Sequence, residues 1–191
     1  MNKLILDLCG GTGSWSRPYK EAGYEVINVT IPEYDVRTYI PPENVYGILA
    51  APPCTDFTNS GAQYWKVKDK DERTIDSMGI VMACLMIIAR CQPKFWALEN
   101  PVGRLVHWIG KYNLVFNPCD YGDPYTKKTC LWGNFNLPEK NYVEPEYVIC
   151  PTNGDRYSNI FWNTGGKSFR TKELRSITPP GFAKAFYEAN K

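Results

Sequence analysis

Residues 4–8, Leu-Ile-Leu-Asp-Leu, run straight into Cys9-Gly10-Gly11-Thr12-Gly13, and no other stretch narrows the choice of fold as much. An apolar run of this length reads as a buried strand. Glycines directly after it let the backbone turn sharply and come close to whatever lies above. Ser14 is then expected to cap a helix reaching about Ala22, with Gly23 at its C-terminus. Further apolar runs follow at 24–31, 45–51, 93–99 and 129–135. Between them, Ile75, Met78, Val81, Met82, Leu85, Met86 and Ala89 recur at helical spacing over 74–90, as core-facing residues of a helix do. A short helix is expected at 105–109 and a C-terminal one at 181–189. Strands separated by helical segments predict an α/β fold with a mainly parallel, twisted sheet flanked by helices. In such sheets ligands sit beyond the carboxyl ends of the strands. The loops at 9–13, 51–61 and 99–103 are placed there.

At 191 residues the chain is read as a single domain, since domains run to ~100–200 residues. Apolar residues make up 43% and charged residues 22%, which predicts a soluble, globular chain. The formal charge is only +2, so any grip on a polyanion must be local rather than a whole-molecule field. There is one histidine, His107, which argues against multi-histidine metal sites and a histidine-based triad; it is read as a partly buried, satisfied residue. The cysteines number seven, with no CxxC pair, so free thiols and an intracellular setting are expected rather than a disulfide framework or a metal site. The N-terminal apolar run is too short for a signal peptide. The longest apolar stretch, 79–89, is too short to span a bilayer, and no membrane partner is expected.

Three constellations carry chemistry. The loop at 9–13 lacks the GxGxxG spacing of dinucleotide sites, so it suits a nucleoside ligand without pyrophosphate, such as S-adenosylmethionine; an ordinary tight strand-to-helix turn is the alternative. Ala51-Pro52-Pro53-Cys54 puts a thiol at a strand end in a backbone pose restricted by two prolines, which favours a nucleophile whose rate depends on alignment; the alternative is a structural thiol. Trp96-Ala-Leu-Glu99-Asn100 ends an apolar strand on a carboxylate, poorly solvated and able to hold a proton near neutral pH; the alternative is a capping or ion-paired glutamate.

In this order, the glycine loop, Pro-Pro-Cys and Glu-Asn resemble the cytosine-C5 DNA methyltransferases, which use Pro-Cys for the nucleophile and Glu-Asn-Val for an acid at the base. Residues 57–61 look like the segment after that family's cysteine. Tyr121-Gly122-Asp-Pro124-Tyr125-Thr-Lys127-Lys-Thr129 resembles its later Gly-x-Pro-Gln-x-Arg-x-Arg motif, and Ser176-Ile-Thr-Pro-Pro-Gly-Phe-Ala183 its C-terminal motif. The compact chain is similar to small phage-type members. The resemblance implies a Rossmann-like methyltransferase fold, S-adenosylmethionine as cofactor and DNA as partner, in the cytoplasm of a phage or bacterial host cell, with no metal. It implies Cys54 adding to cytosine C6, Glu99 acting at N3, and Lys127 taking the first arginine position as a base or phosphate contact. It further implies cofactor contacts from Asp7, Cys9, Gly10, Gly11 and Gly13, from Thr30 where most members carry an acid, from Asp35 and Val36, and from Pro52. Methyl transfer to a free nucleotide or RNA, or a nucleic-acid-binding module without catalysis, are the alternative functions. Oligomeric state is not legible. Residues 136–176, with basic side chains and Tyr142, Tyr147, Tyr157, Phe161, Trp162 and Phe169, are expected to form an irregular excursion replacing a larger recognition region. The charge-alternating run 66–73 is expected to be a solvated loop and to act as a flap over substrate.

Overall fold

A computed structural model describes residues 3–164 and 169–191. Its centre is a six-stranded sheet in the order β2-β1-β3-β4-β6-β5, formed by β1 (Leu4–Leu8), β2 (Glu25–Val29), β3 (Val45–Ala50), β4 (Phe95–Pro101), β5 (Leu114–Phe116) and β6 (Thr129–Asn134). The first four strands pair in parallel. β6 runs antiparallel to β4 and β5 antiparallel to β6, so the sheet is mixed at one edge. β1 hydrogen-bonds to β2 on one side and β3 on the other, with Leu8 opposite both Val29 and Ala50. The strand order therefore reverses at β1, and the loops after β1 and β3 border the crevice where open α/β sheets bind ligands.

Alternate strand residues point to opposite faces, and each face builds its own core. Leu6, Leu8, Ile48, Ala50 and Leu98 meet Val81, Cys84, Ile87 and Ile88 of the long helix α3 (Arg73–Cys91). Ile5, Leu49 and Ala97 meet an aromatic cluster containing Trp15, Tyr19, Phe116, Phe182 and Phe186. The last two belong to α7 (Pro180–Ala189), which lies against α1 (Arg17–Glu21). The Phe116 and Phe182 rings stack at 4.0 Å. α3 is nineteen residues long and, by length and composition alone, apolar enough to cross a bilayer; the apolar stretch thus exceeds the eleven-residue run read from the sequence. Its inner face is committed to the sheet, whereas Ile75, Met82, Met86 and Ala89, expected to face the core, are exposed, because only one face of the helix meets the sheet.

Several local expectations are corrected. Ser14 does not cap α1: the helix begins three residues later, and Ser14 Oγ instead accepts the Thr178 amide at 2.9 Å, tying the glycine loop to the C-terminal segment. The run 66–73 is not a free loop. A 3-10 turn over Asn59–Tyr64 leads into α2 (Trp65–Lys70), and Lys68 is only 7% exposed, because its ammonium is drawn inward by Asp56 at 3.2 Å. The 136–176 stretch is not irregular throughout. It holds an antiparallel hairpin, β7 (Tyr147–Ile149) with β8 (Arg156–Ser158), then α5 (Asn159–Asn163) and α6 (Phe169–Ser176). Residues 165–168 of that stretch, and the side chain of Phe169, lie outside the described residues. The short helix expected at 105–109 is α4 (Val106–Ile109).

Candidate active site

The glycine loop is shaped by what lies beneath it. Asp7 is fully buried at the end of β1 and accepts the Ser16 hydroxyl at 2.5 Å. A Cβ on Gly10 would sit 2.4 Å from the Asp7 carboxyl carbon and 2.6 Å from Asn28 Oδ1, so only glycine lets this backbone pass. Gly11 and Gly13 both adopt positive φ, and Asn28 Nδ2 donates to the Gly11 carbonyl at 2.9 Å. Among the described residues, Asp7 Oδ1 and Asn28 Oδ1 are buried without a hydrogen-bond partner, two acceptors packed under the glycine turn. Burial pushes the Asp7 carboxyl up to about 6, against the opposing hydrogen bond from Ser16. Sequence reading missed Asn28. It lies in β2 opposite Asp7, and a polar residue in an otherwise apolar strand was the available signal.

Thr30 follows β2 directly, and the next residue, Ile31, is 74% exposed. Asp35 is partly exposed and ion-paired to Arg37; the guanidinium's hydrogen bonds hold its carboxyl down at about 2. Val36 packs into the α3-side core, so what it can offer a ligand is its backbone.

The second loop carries the thiol. Ala51 N–H donates to the Leu8 carbonyl at 2.9 Å, which ties the strand running into Pro52-Pro53-Cys54 to β1. Asn100 Nδ2 donates to the Pro52 carbonyl at 2.9 Å from a fully buried position. The Glu99-Asn100 pair thus has divided roles: Asn100 pins the proline turn while Glu99 stands next to the thiol's field. The segment after Cys54 is stitched to the segment after Glu99 by Asn59 N–H to the Val102 carbonyl (3.1 Å) and Arg104 N–H to the Phe57 carbonyl (2.9 Å). A Cβ on Gly103 would lie 2.0 Å from the Phe57 carbonyl oxygen, so glycine is required for this contact.

Glu99 and Lys127 both act on the Cys54 thiol, and Lys127 also acts on Glu99. Burial pushes the Cys54 thiol up, the Glu99 carboxylate pushes it further, and Lys127 and Lys68 pull it back. Burial raises the Glu99 carboxyl, opposed by Lys127. The Lys127 ammonium donates to the Arg175 carbonyl at 2.6 Å, so α6 is anchored beside the same group. Burial thus disfavours both anions, and Lys127 favours both, which lowers the cost of ionising the thiol when a substrate is present.

A polar lock that sequence reading did not find surrounds this pair. Arg104, 7% exposed, donates to the Asp56 carbonyl at 3.0 Å, to Asp69 at 2.9 Å and to Thr74 Oγ1 at 2.7 Å. Its guanidinium lies 4.8 Å from the Trp65 ring centre and 5.5 Å from that of Trp108. Lys68 donates to the Thr55 carbonyl at 2.5 Å. Residues 55–56 are thereby fastened to α2 and to the start of α3. In the 136–176 stretch, Arg156 lies over Tyr147, Tyr157 contacts Trp162, and Arg175 lies over Phe161; these rings stay more than a third exposed. Among the described residues no group of three or more His, Cys, Asp or Glu gathers as a metal site would require.

No protein-family model matches the chain. It is 30% identical to a Frog virus 3 (isolate Goorha) protein named "Probable DNA (cytosine-5)-methyltransferase", across 92% of this chain and 94% of that one. It is 25% identical to the type II methyltransferase M.DdeI of Desulfomicrobium norvegicum, across 75% of this chain and 46% of that protein, so it spans under half of M.DdeI's length. Among solved structures, the Entamoeba histolytica methyltransferase EhMeth aligns with a TM-score of 0.49 at 12% identity, covering 77% of this chain and 58% of EhMeth.

Proposed function

The chain belongs to the DNA (cytosine-5)-methyltransferase family, and from that premise we propose that it transfers a methyl group from S-adenosylmethionine to C5 of cytosine in DNA, through a covalent adduct on Cys54. The observation that carries this reading is the placement of Cys54 beyond the carboxyl end of β3 and of Glu99 near that of β4, with Lys127, just before β6, favouring the anion of both.

The glycine turn fits the cofactor. Because Gly10 has no Cβ, the turn lies directly on Asp7 and Asn28, and its backbone faces outward, free to meet a ligand closely. Asp7, Cys9, Gly10, Gly11 and Gly13 form this floor. Thr30, Asp35, the Val36 backbone and Pro52 are assigned to its rim. Thr30 supplies a hydroxyl where an acid would bring charge. When bound, the cofactor supplies an electrophilic methyl group.

Cytosine C5 is a poor nucleophile, and this chain's residues make it a better one. The Cys54 thiolate adds to C6, and the electron pair of the C5–C6 double bond moves toward C5. Glu99, whose burial favours the protonated form, places a proton at N3 and stabilises the resulting enamine. C5 takes the methyl group. A base then removes the C5 proton, and elimination returns the electrons to the double bond and frees the thiolate. Ionising Cys54 favours a protonated Glu99, so the two required charge states support each other. Lys127 limits the cost of the thiolate. A base inside a duplex must leave the stack to reach this crevice. The half-exposed rings and Arg156 and Arg175 of the hairpin region are suited to stacking and phosphate contact.

The test is tritiated methyl transfer from S-adenosylmethionine to DNA, RNA and dCMP, with product nucleosides identified by mass spectrometry. The proposal expects 5-methylcytosine from DNA. Label in RNA or dCMP alone would replace the substrate class, and label in none would leave a binding module of the same fold.

A further inference from the structure

The outer face of α3 is built like half of a helix–helix interface. Ile75, Gly79, Met82, Met86 and Ala89 are all exposed, and their spacing of four, three, four and three residues keeps them on one line along a helix. The buried residues Thr74, Val81, Cys84, Ile87 and Ile88 occupy the opposite side. A surface helix ordinarily turns charged residues to solvent there. Here Ile75 and Met86 are each 68% exposed and Met82 is 48% exposed, and only 28% of the helix's most apolar window is buried. Gly79 sits mid-helix, and among the described residues nothing beyond its own helix lies within 4 Å of where a Cβ would be. It weakens the helix without any contact in its own chain that requires it, and it leaves room for close approach from outside.

Charge placement selects the occupant. Asp76 and Arg90 lie one residue after Ile75 and Ala89 respectively, so both flank the same side of the line. Among the described residues neither forms an ion pair within the chain. Two helices related by a two-fold axis run antiparallel, and such a pair brings residues of the same flank together. Centring the axis at residue 83 sets Asp76 level with the partner's Arg90 and Arg90 level with the partner's Asp76. Moving that axis one residue, to 84, about 1.5 Å along the helix, sets Met82 level with the partner's Met86 and Gly79 level with the partner's Ala89, so the charged and apolar pairs come within reach together. Apolar grooves complete the match. One of about 400 Å³ is lined by Ile75, Met78 and Trp108, and one of about 500 Å³ by Leu85, Ala89, Pro93 and Trp96. They lie at opposite ends of the line, where the partner's opposite end would project.

We propose that the outer face of α3 is a self-association surface on which a second copy of this chain packs antiparallel, through Ile75, Gly79, Met82, Met86 and Ala89 with reciprocal Asp76–Arg90 ion pairs. This inference does not depend on the methyltransferase reading.

Sedimentation velocity across micromolar concentrations tests it. The wild-type chain should sediment at twice its 21.8 kDa mass, and Met82→Glu with Met86→Glu should sediment at the single-chain mass. Asp76→Arg alone and Arg90→Asp alone should each weaken association by about tenfold or more, because each sets like charges against each other across the pair. The double exchange, Asp76→Arg with Arg90→Asp, should restore it. Circular dichroism on the same samples confirms that each variant is folded, and the charge exchanges, being on the surface, keep the test valid should the methionine variant unfold. A single-chain wild type, an unchanged methionine variant, or a double exchange no better than either single one overturns the proposal. Flotation of the wild type with phosphatidylcholine vesicles would overturn it by assigning the face to lipid.

Discussion

Asp7→Asn should make the protein more stable at neutral pH while leaving it nearly unchanged in acid. The Asp7 carboxyl has no exposure, one hydrogen bond from Ser16 Oγ, and a second oxygen with no partner among the described residues. Its ordinary value of 3.8 rises to about 6 in the folded chain because burial penalises the anion. Between those values the native state keeps a proton that the unfolded chain has lost. Stability therefore falls as pH rises from about 4 to about 6 and levels off above, where the native state holds a buried anion. The interval from 3.8 to about 6 corresponds to ~3 kcal/mol at 1.36 kcal/mol per pH unit. Asparagine keeps the shape, can accept from or donate to Ser16, and does not titrate. Urea unfolding of both proteins, followed by tryptophan fluorescence from pH 3.5 to 8 (about the range these values span), gives the difference directly. The gap should be small at the acid end and grow toward ~3 kcal/mol in favour of Asp7→Asn above pH 6. A difference independent of pH would refute the assignment of a buried, titrating carboxyl beneath the glycine turn.

Glu99→Gln should lower kcat by ~100- to 10,000-fold while DNA affinity changes little, since proton donation is needed mainly in the transition state; equal losses in both, by rapid-quench kinetics and fluorescence anisotropy, would make Glu99 a folding residue. Lys127→Ala removes the cation that holds both Cys54 and Glu99 down, so the rising limb of the kcat/KM–pH profile should move to higher pH, and an unshifted limb would place Lys127 outside the pair's field. Arg104→Leu should cost about 3 kcal/mol in chemical denaturation, by leaving the Asp56 carbonyl and Thr74 without their buried donor; the half-exposed Asp69 keeps the loss at the low end for a broken buried pair. A loss under ~0.5 kcal/mol, the size of an ordinary surface substitution, would show that the lock is not stabilising.

Much of the sheet was legible because its strands are short apolar runs closed by glycine or proline, and buried parallel strands have that pattern. β5 escaped because three residues, Leu114–Phe116, are too few to display a period. The antiparallel course of β6 escaped because a single strand's pattern does not encode its partner's direction. Ser14 was misread as a cap because a serine before a helix usually serves that helix, whereas here a residue 164 positions away claims its oxygen. The α2 segment was misread for a related reason. Lys68 looks like a solvated lysine in an alternating run, and only the fold brings Asp56 to it. The site was legible as three separate loops. Their stitching by Asn100, Gly103 and Arg104 depends on contacts across about fifty residues of chain, which no local pattern announces.

The central claim, that Cys54 attacks the cytosine ring, is tested most directly with duplex DNA carrying 5-fluorocytosine, because fluorine at C5 blocks the elimination that frees the thiolate. Denaturing electrophoresis followed by peptide mass spectrometry reads the product. With S-adenosylmethionine present, a stable protein–DNA adduct should form, map to the peptide containing Cys54 and vanish in Cys54→Ser. An adduct on any of the other six cysteines, or a Cys54→Ser protein that still methylates DNA at the wild-type rate, would contradict it.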